Sequence, residues 1–509
     1  MHFTPANLTP FVGRITSHAL GSNTIMIKKT LAVAATLVML APGGVLADRT
    51  GDGEVTSQMQ RDPLDQPGLR AQALPLGGTR EQVDSGTAFN PALSVILDGV
   101  YYSEFTGEWD APAGFDSGHS HSHGHGHGHG HDHDLDEGFN LRETEIAFSA
   151  SVDNYFDAMV ILAIEGDSGI EVEEAYLTTQ NLPAGLQVKA GKFLSDIGYI
   201  NKQHPHDWDF VDRPLVNEFL FGDHGLQEKG VQLSWVPATP VYTRFGVELL
   251  QGETSGIANY IGSGRVEEVT VTPDPVTGDP TRQRWRDDNP FDDASGPRLF
   301  TGFFKIAPDL GYNHAAQFGL SYGIATTFQN EQQHSSTRYE SWDGDAWFAG
   351  VDAVYKYDSG GAYGHGNLRL QGEYFLREID VDYMSQSFQG VNNGSLQTTD
   401  SFSDRRRQDG LYLQAVYGFA PRWEVGARFE ALGLTNESLV PDRSAGEFED
   451  FDASYRYTLN TTWRPTHFSA LRAQLNYNDF AKEDDHTNRG ASFMLQYNLS
   501  LGVHGAHPF

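Results

Sequence analysis

From Ser469 to Phe480 the chain reads SALRAQLNYNDF, so that Leu471, Ala473, Leu475 and Tyr477 alternate with Arg472, Gln474, Asn476 and Asn478. A period of two places the apolar set on one face of a β-strand and the polar set on the other. Such a strand suits a half-buried antiparallel sheet, or a membrane barrel with lipid outside and water inside. Sixteen stretches of this kind can be marked, from Phe89–Ser103 through Ala315–Thr327, Trp347–Tyr357, Gly366–Arg377 and Leu411–Phe419 to Ser492–Val503.

The connections decide between the two. One set is short, with Asp153-Asn154, Pro237–Pro240, Ala420–Arg422 and Arg464–Phe468 as examples. The alternate set is long: Glu104–Asn140, Ser195–His224, Gly252–Pro297, Gln329–Ala346, Glu378–Gly410 and Gly433–Asp452, with Gly166–Gly169 as the exception. A sheet trimmed at one end and elaborated at the other has the sidedness of an outer-membrane barrel, with periplasmic turns and surface loops. The expected fold is therefore all-β: a transmembrane antiparallel β-barrel of about sixteen strands, in the size range that leaves an aqueous channel. A soluble sandwich or propeller would show no such turn asymmetry.

The N-terminal region fits export. Met26-Ile27-Lys28-Lys29, the apolar run Leu31–Leu40 and Val45-Leu46-Ala47 have the form of a secretory signal peptide. Residues 1–47 are expected to be an over-called start plus this signal, with true initiation at Met26. Residues 48–88, polar and without periodicity, read as a periplasmic tail, and 89–509 as the barrel, with a first surface loop at 104–140 and a constriction loop at 195–224. Removing 1–47 takes away three basic residues and no acid, moving the formal charge from −33 to −36. An acidic chain lacks the basic footprint that nucleic acid requires, and it attracts cations. With no cysteine, thiolate metal sites and disulfides are excluded.

Gly118–Asp134 carries His119, His121, His123, His125, His127, His129, His131 and His133 at every second position, separated by Gly, Ser and Asp. Neutral imidazole is a good ligand for zinc, copper and nickel, and a flexible tract can wrap an ion without a preformed cage. The alternative is low complexity with incidental metal affinity. The second candidate is the loop 195–224, too aromatic for disorder, where His204, His206, Asp207 and His224 offer nitrogen and oxygen ligands. Its alternative is a packed constriction loop whose polar groups satisfy the backbone. The acidic clusters Asp287-Asp288, Asp292-Asp293 and Glu447–Asp452 read as a solvated rim that can also meet divalent cations. No GxSxG, HExxH or paired-carboxylate arrangement stands out as catalytic, so an enzyme is not expected and no catalytic residue is assigned.

If Leu471 and its neighbours face lipid, the opposite phase faces the lumen. That phase makes Arg369, Arg377, Arg428, Arg456 and Arg472 pore-lining, among Glu373, Glu424 and Glu430. Inward arginines favour anions and inward carboxylates favour cations, so the wall is mixed.

Three blocks carry a family resemblance: GLQVKAGKFLSDIGYIN at Gly185–Asn201 with QHPHDWDFVDRPLV at Gln203–Val216, NPALSVILDGVY at Asn90–Tyr101, and HGAHPF at His504–Phe509. With them the chain resembles the zinc-associated (zinc-regulated) outer-membrane proteins of Gram-negative bacteria, and is more distantly similar to the phosphate-selective porins. The resemblance implies an outer-membrane role in zinc supply, the His-rich loop facing outside, no required cofactor, and zinc, copper or nickel as the bound or transported ion. The terminal Phe509 resembles the signal read by the barrel assembly machinery. Further expected partners are outer-membrane lipid and small inorganic ions, and porins of this size suggest a homotrimer. An anion or general diffusion porin and an energised TonB-linked metal receptor are the alternatives. The 41 residues of 48–88 are too few for the plug domain of a TonB-dependent receptor.

Overall fold

The computed structural model describes residues 91–502, apart from 106–110, 116–134, 166–168, 255, 263–266, 271–282, 287–290, 292, 336–337, 389–395, 440–447 and 483–487. The expected signal peptide and tail, the His119–His133 tract and the closing HGAHPF lie outside the described residues.

The barrel strands are Ala92–Glu104 (β1), Gly138–Ser151 (β2), Phe156–Glu165 (β3), Gly169–Thr179 (β4), Leu186–Leu194 (β5), Gln227–Trp235 (β6), Tyr242–Leu250 (β7) and Leu299–Ala307 (β8). They continue as His314–Ser335 (β9), Arg338–Tyr357 (β10), Leu368–Phe388 (β11), Leu396–Ala420 (β12), Trp423–Leu432 (β13), Ser454–Thr466 (β14), Ser469–Phe480 (β15) and Asn488–Gly502 (β16). Each pairs antiparallel with its chain neighbours, and β1 closes on β16 from Ser94↔Gly502 to Glu104↔Ser492. Closure satisfies every edge, the condition for a sheet that crosses a membrane. The described residues thus form the expected sixteen-stranded antiparallel barrel.

Burial is inside out. On β15, Leu471, Leu475 and Tyr477 are exposed at 40–50%, whereas Arg472, Gln474, Asn476 and Asn478 are at most 3% exposed. Leu249, Leu320, Ile324, Leu459 and Leu501 continue the exposed apolar surface. Near the short-turn end Trp423 stacks on Trp463 at 6.0 Å and Trp235 on Phe245 at 5.7 Å, all of them exposed. An apolar outer band edged by aromatics matches a lipid bilayer rather than water.

Two local irregularities matter below. On β2 the register with β1 steps from Asp98↔Glu143 to Gly99↔Leu141, skipping Arg142. On β4 the register with β3 steps from Ile161↔Glu174 to Leu162↔Val172, skipping Glu173. An extra residue lets two successive side chains share one face, which regular pleating forbids.

One expectation fails. Gln329–Ala346 and Glu378–Gly410 are not loops but extensions of β9–β12, paired as far as Ser335↔Arg338 and Phe388↔Leu396. On β11 the alternation inverts rather than ends: Ile379, Val381 and Tyr383 are buried on the inner face, between Asp380 and Asp382 on the outer one, while β9 and β10 carry mostly polar residues there. Cross-strand contacts hold them: Tyr383 stacks on Phe402 at 4.4 Å, and Arg407 meets Glu378 at 3.1 Å.

Candidate metal centre beside the inward loop

The segment between β5 and β6 folds into the lumen. It turns at Gly198, where φ is 56° and an added Cβ would stand 2.7 Å from Glu373 Oε2. Just beyond, Tyr199 N and Ile200 N both donate to Glu373 Oε1 at 2.7 Å. A short helix, Leu215–Phe221 (α1), is buried throughout, and Leu215 N donates to Glu430 Oε1 at 2.7 Å. Ile197, Leu220 and Phe221 join wall residues Phe348, Phe375, Leu250 and Leu432 in one apolar cluster inside the barrel. The aromatics expected to keep this loop ordered do so: Phe221 packs edge-on against Phe348 and Phe375, each at 5.0 Å.

The polar wall grips the same loop on every side. Asp212 takes Arg428 Nη2 at 2.6 Å, Arg456 Nη1 at 3.0 Å and Gln474 Nε2 at 2.6 Å. Asp209 takes Arg369 Nη2 at 2.7 Å, and Arg369 also bonds Glu424 at 2.9 Å. Arg377 donates to the carbonyl of Leu220 at 2.8 Å and Arg472 to that of Trp208 at 2.8 Å. Lys305 reaches the carbonyl of Gly198 and Arg142 that of Val211.

The pore-lining assignment therefore needs correction. Arg369, Arg377, Arg428, Arg456, Arg472, Glu373, Glu424 and Glu430 do point inward; Arg369 and Glu424 stay partly exposed, and the other six are buried. Arg428, Arg456, Glu373 and Glu430 are at most 3% exposed. Burying such charges is costly unless each is paired, and the loop supplies the partners. The loop is thus wider in reach than a constriction: it crosses the lumen from wall to wall.

On the β2–β4 side the loop presents His204 and the single turn Pro205–Asp207. Glu143, Glu145, Glu173 and His204 each offer a ligand atom, all lying within 4.8 Å of one another. His204 Nε2 is 2.8 Å from Glu174 Oε1, whose Oε2 accepts Leu194 N at 3.2 Å. His204 Nδ1 is 3.2 Å from Glu173 Oε1 but makes no hydrogen bond there. His206 Nδ1 lies 2.7 Å from Glu145 Oε1, and the two imidazoles stack at 5.8 Å. Burial opposes charge on both rings, but the carboxylates outweigh it. Glu173 and Glu145 hold His204 well above the ordinary imidazole value, and Glu145 and Asp207 push His206 up to about 9.

The ligand set expected from the loop alone is split by the fold. Of His204, His206, Asp207 and His224, His204 joins the four-residue group. His206 is tied to Glu145, Asp207 stands 3.6 Å from His206 Nε2, and His224 is exposed. The missing ligands are the wall carboxylates Glu143, Glu145 and Glu173. Their signal in the sequence is Glu-x-Glu at 143–145 and the pair Glu173-Glu174, acidic residues inside otherwise apolar strands. Of the acidic clusters, Asp293 meets Tyr260 at 3.3 Å and Glu449 and Asp450 are exposed; Asp287, Asp288, Asp292 and Glu447 lie outside the described residues.

A closed sixteen-stranded barrel with a lipid-matched exterior and a loop folded into its lumen is an outer-membrane β-barrel of porin-like architecture. No family model matches the chain. An uncharacterized protein of Aquifex aeolicus (strain VF5) is 33% identical over 376 residues, which cover 73% of this chain and 70% of that protein. The chain belongs to the family of that Aquifex protein. Among solved structures it is similar to the outer membrane protein OmpT of Vibrio cholerae (9% identity, 82% of this chain and 100% of that one, TM-score 0.45). It is similar also to the outer membrane channel DcaP of Acinetobacter baumannii (12%, 81% and 96%, TM-score 0.44) and to an anion-selective porin from Comamonas acidovorans (11%, 81% and 99%, TM-score 0.41).

Proposed function

We propose that this protein is a porin-like outer-membrane channel for small ions that assists uptake of zinc or a similar divalent metal. The observation that carries the reading is the meeting of His204 with Glu143, Glu145 and Glu173 inside the barrel. A buried group of three carboxylates and an imidazole attracts a divalent cation and discourages an anion. The His119–His133 tract precedes β2 in the chain, so ions gathered there are tethered close to the strand bearing Glu143 and Glu145.

A second reading is favoured by the loop that spans the lumen: an energised receptor that binds metal and releases it when the loop is displaced. The 195–226 segment then takes the part that a plug domain plays in such receptors. An anion or general diffusion porin would need the inward arginines free to meet solutes, and their ion pairs with Asp209 and Asp212 count against it. A homotrimer is proposed by analogy with porins, the Vibrio cholerae OmpT having a trimer form.

The test is planar-bilayer conductance with reversal potentials in zinc and phosphate salts, on the intact protein and on one lacking Gly118–Asp134. Cation preference sensitive to zinc supports the channel reading. Anion preference indifferent to zinc overturns it, and tight zinc binding with no conductance favours the receptor.

A further inference from the structure

The geometry points to a mononuclear divalent-cation site made by His204 Nδ1 and the carboxylates of Glu143, Glu145 and Glu173, with Glu174 as the positioning residue for the imidazole, that staples the inward loop to the barrel wall. The inference deepens the proposed function and rests on it for its biological purpose.

Four observations converge. The first is the orphaned nitrogen. His204 is 8% exposed, and Nδ1 has no hydrogen-bond partner although it points among carboxylates. Buried polar atoms are nearly always satisfied, so an orphan aimed into a cluster marks a place for something that binds lone pairs. The second is the other ring nitrogen. Nε2 faces Glu174 Oε1 at 2.8 Å, so a cation arriving at Nδ1 displaces the proton that the carboxylates otherwise favour there, while Nε2–H keeps its carboxylate partner. Metal-ligating histidines are oriented by carboxylates in this manner.

The third is a second orphan. Glu173 Oε2 is buried without a partner beside that nitrogen. The fourth is backbone. Glu173 is itself the skipped residue on β4, and Glu143 follows the skipped Arg142 on β2. Without the first skip Glu173 and Glu174 could not both turn inward to His204; without the second, Arg142, which holds the loop at Val211, could not join Glu143 and Glu145 on the inner face. The β4 irregularity serves the site directly, as bulges next to sites commonly do, and the β2 irregularity turns Arg142 inward to Asp98 and to the loop carbonyl of Val211.

The donor set names the ion class. One imidazole and three carboxylates are harder than a polyhistidine tract, which suits Zn²⁺, Co²⁺, Fe²⁺ or Mn²⁺ and disfavours Cu⁺, which seeks sulfur. Two strands and the loop supply the ligands, so the ion cross-links three elements that are otherwise separable.

The test uses Co²⁺ as the probe on the purified barrel with Gly118–Asp134 deleted, read by equilibrium dialysis and by the visible spectrum of bound cobalt. The expected result is one saturable ion per chain, displaced by Zn²⁺. Glu174→Gln should weaken it by about 10- to 100-fold, and His204→Ala should abolish it, with Asp309→Asn in an exposed turn unchanged. Glu143→Gln and Glu173→Gln preserve shape, and retained heat-modifiable migration certifies their fold. Should the deletion disturb folding, His204→Ala, Glu143→Gln and Glu173→Gln in the intact chain must each remove one ion from its total. Absence of saturable binding, or equal binding in the His204→Ala, Glu143→Gln and Glu173→Gln proteins, overturns the site. Conductance is read in parallel in potassium chloride: a conducting barrel without the ion sinks the site alone, and an ion-binding barrel without conductance sinks the channel alone.

Discussion

Asp212 on the inward loop and Arg456 on β14 meet at 3.0 Å with both side chains fully buried. Arg428 approaches the other carboxylate oxygen at 2.6 Å. Removing the carboxylate strands two buried guanidinium groups, which costs about 3–5 kcal/mol. Asp212→Ala should therefore lower the unfolding midpoint and loosen the loop. Conductance of the variant in bilayers should rise above that of the parent. A variant as stable and as conductive as the parent would show that the pair does not hold the loop.

Gly198→Ala tests the turn by which the loop enters the lumen. The backbone there is left-handed and the new methyl would press on Glu373. Strain of this kind costs about 1–3 kcal/mol. Since Glu373 anchors Tyr199 N and Ile200 N, the expected outcome is faster cleavage by added protease between 195 and 226. Unchanged cleavage would mean that the turn is dispensable.

Leu475 is 50% exposed near the middle of β15. Arginine there should destabilise the barrel in lipid by about 2–4 kcal/mol if that position lies at the bilayer midplane. Asn476→Ala, one residue along, would instead remove a buried lumenal contact with Asp212 at 3.2 Å. Refolding into vesicles against urea measures both, and equal tolerance of arginine at 475 and in exposed turns would contradict a lipid-facing role.

The eight histidines from His119 to His133 should bind several zinc ions, with release as pH falls through about 6.5, where free imidazoles take up protons. Isothermal titration of the intact protein and the 118–134 deletion separates this population from the inward site. Equal stoichiometry in the two proteins would remove the tract from the account.

The barrel itself was legible because lipid and lumen impose opposite demands on alternate residues. Leu471 to Asn478 record that demand one side chain at a time, and the short and long connections record the two ends of the sheet. The legibility stopped where the demand stopped: β9–β12 run on past the apolar band, where the outer face turns polar and Ile379 and Val381 of β11 turn inward instead, and their extensions looked like loops.

The site shows the same division. His204 stood out in the sequence as one of several candidate ligands in a long loop, grouped with its near neighbours His206 and Asp207. The carboxylates that surround it lie 31 to 61 residues earlier, on β2 and β4. Nothing local announces that a one-residue skip at Glu173 turns it inward beside Glu174 to meet Glu143 and Glu145. Alternation of side chains is a property of neighbours, so the sequence alone determined the strands, their faces and the inward phase of the arginines. Which charges are buried, and which four ligands meet, depends on where a folded loop lands across the lumen. Only closure of the barrel and the packing of that loop decided it.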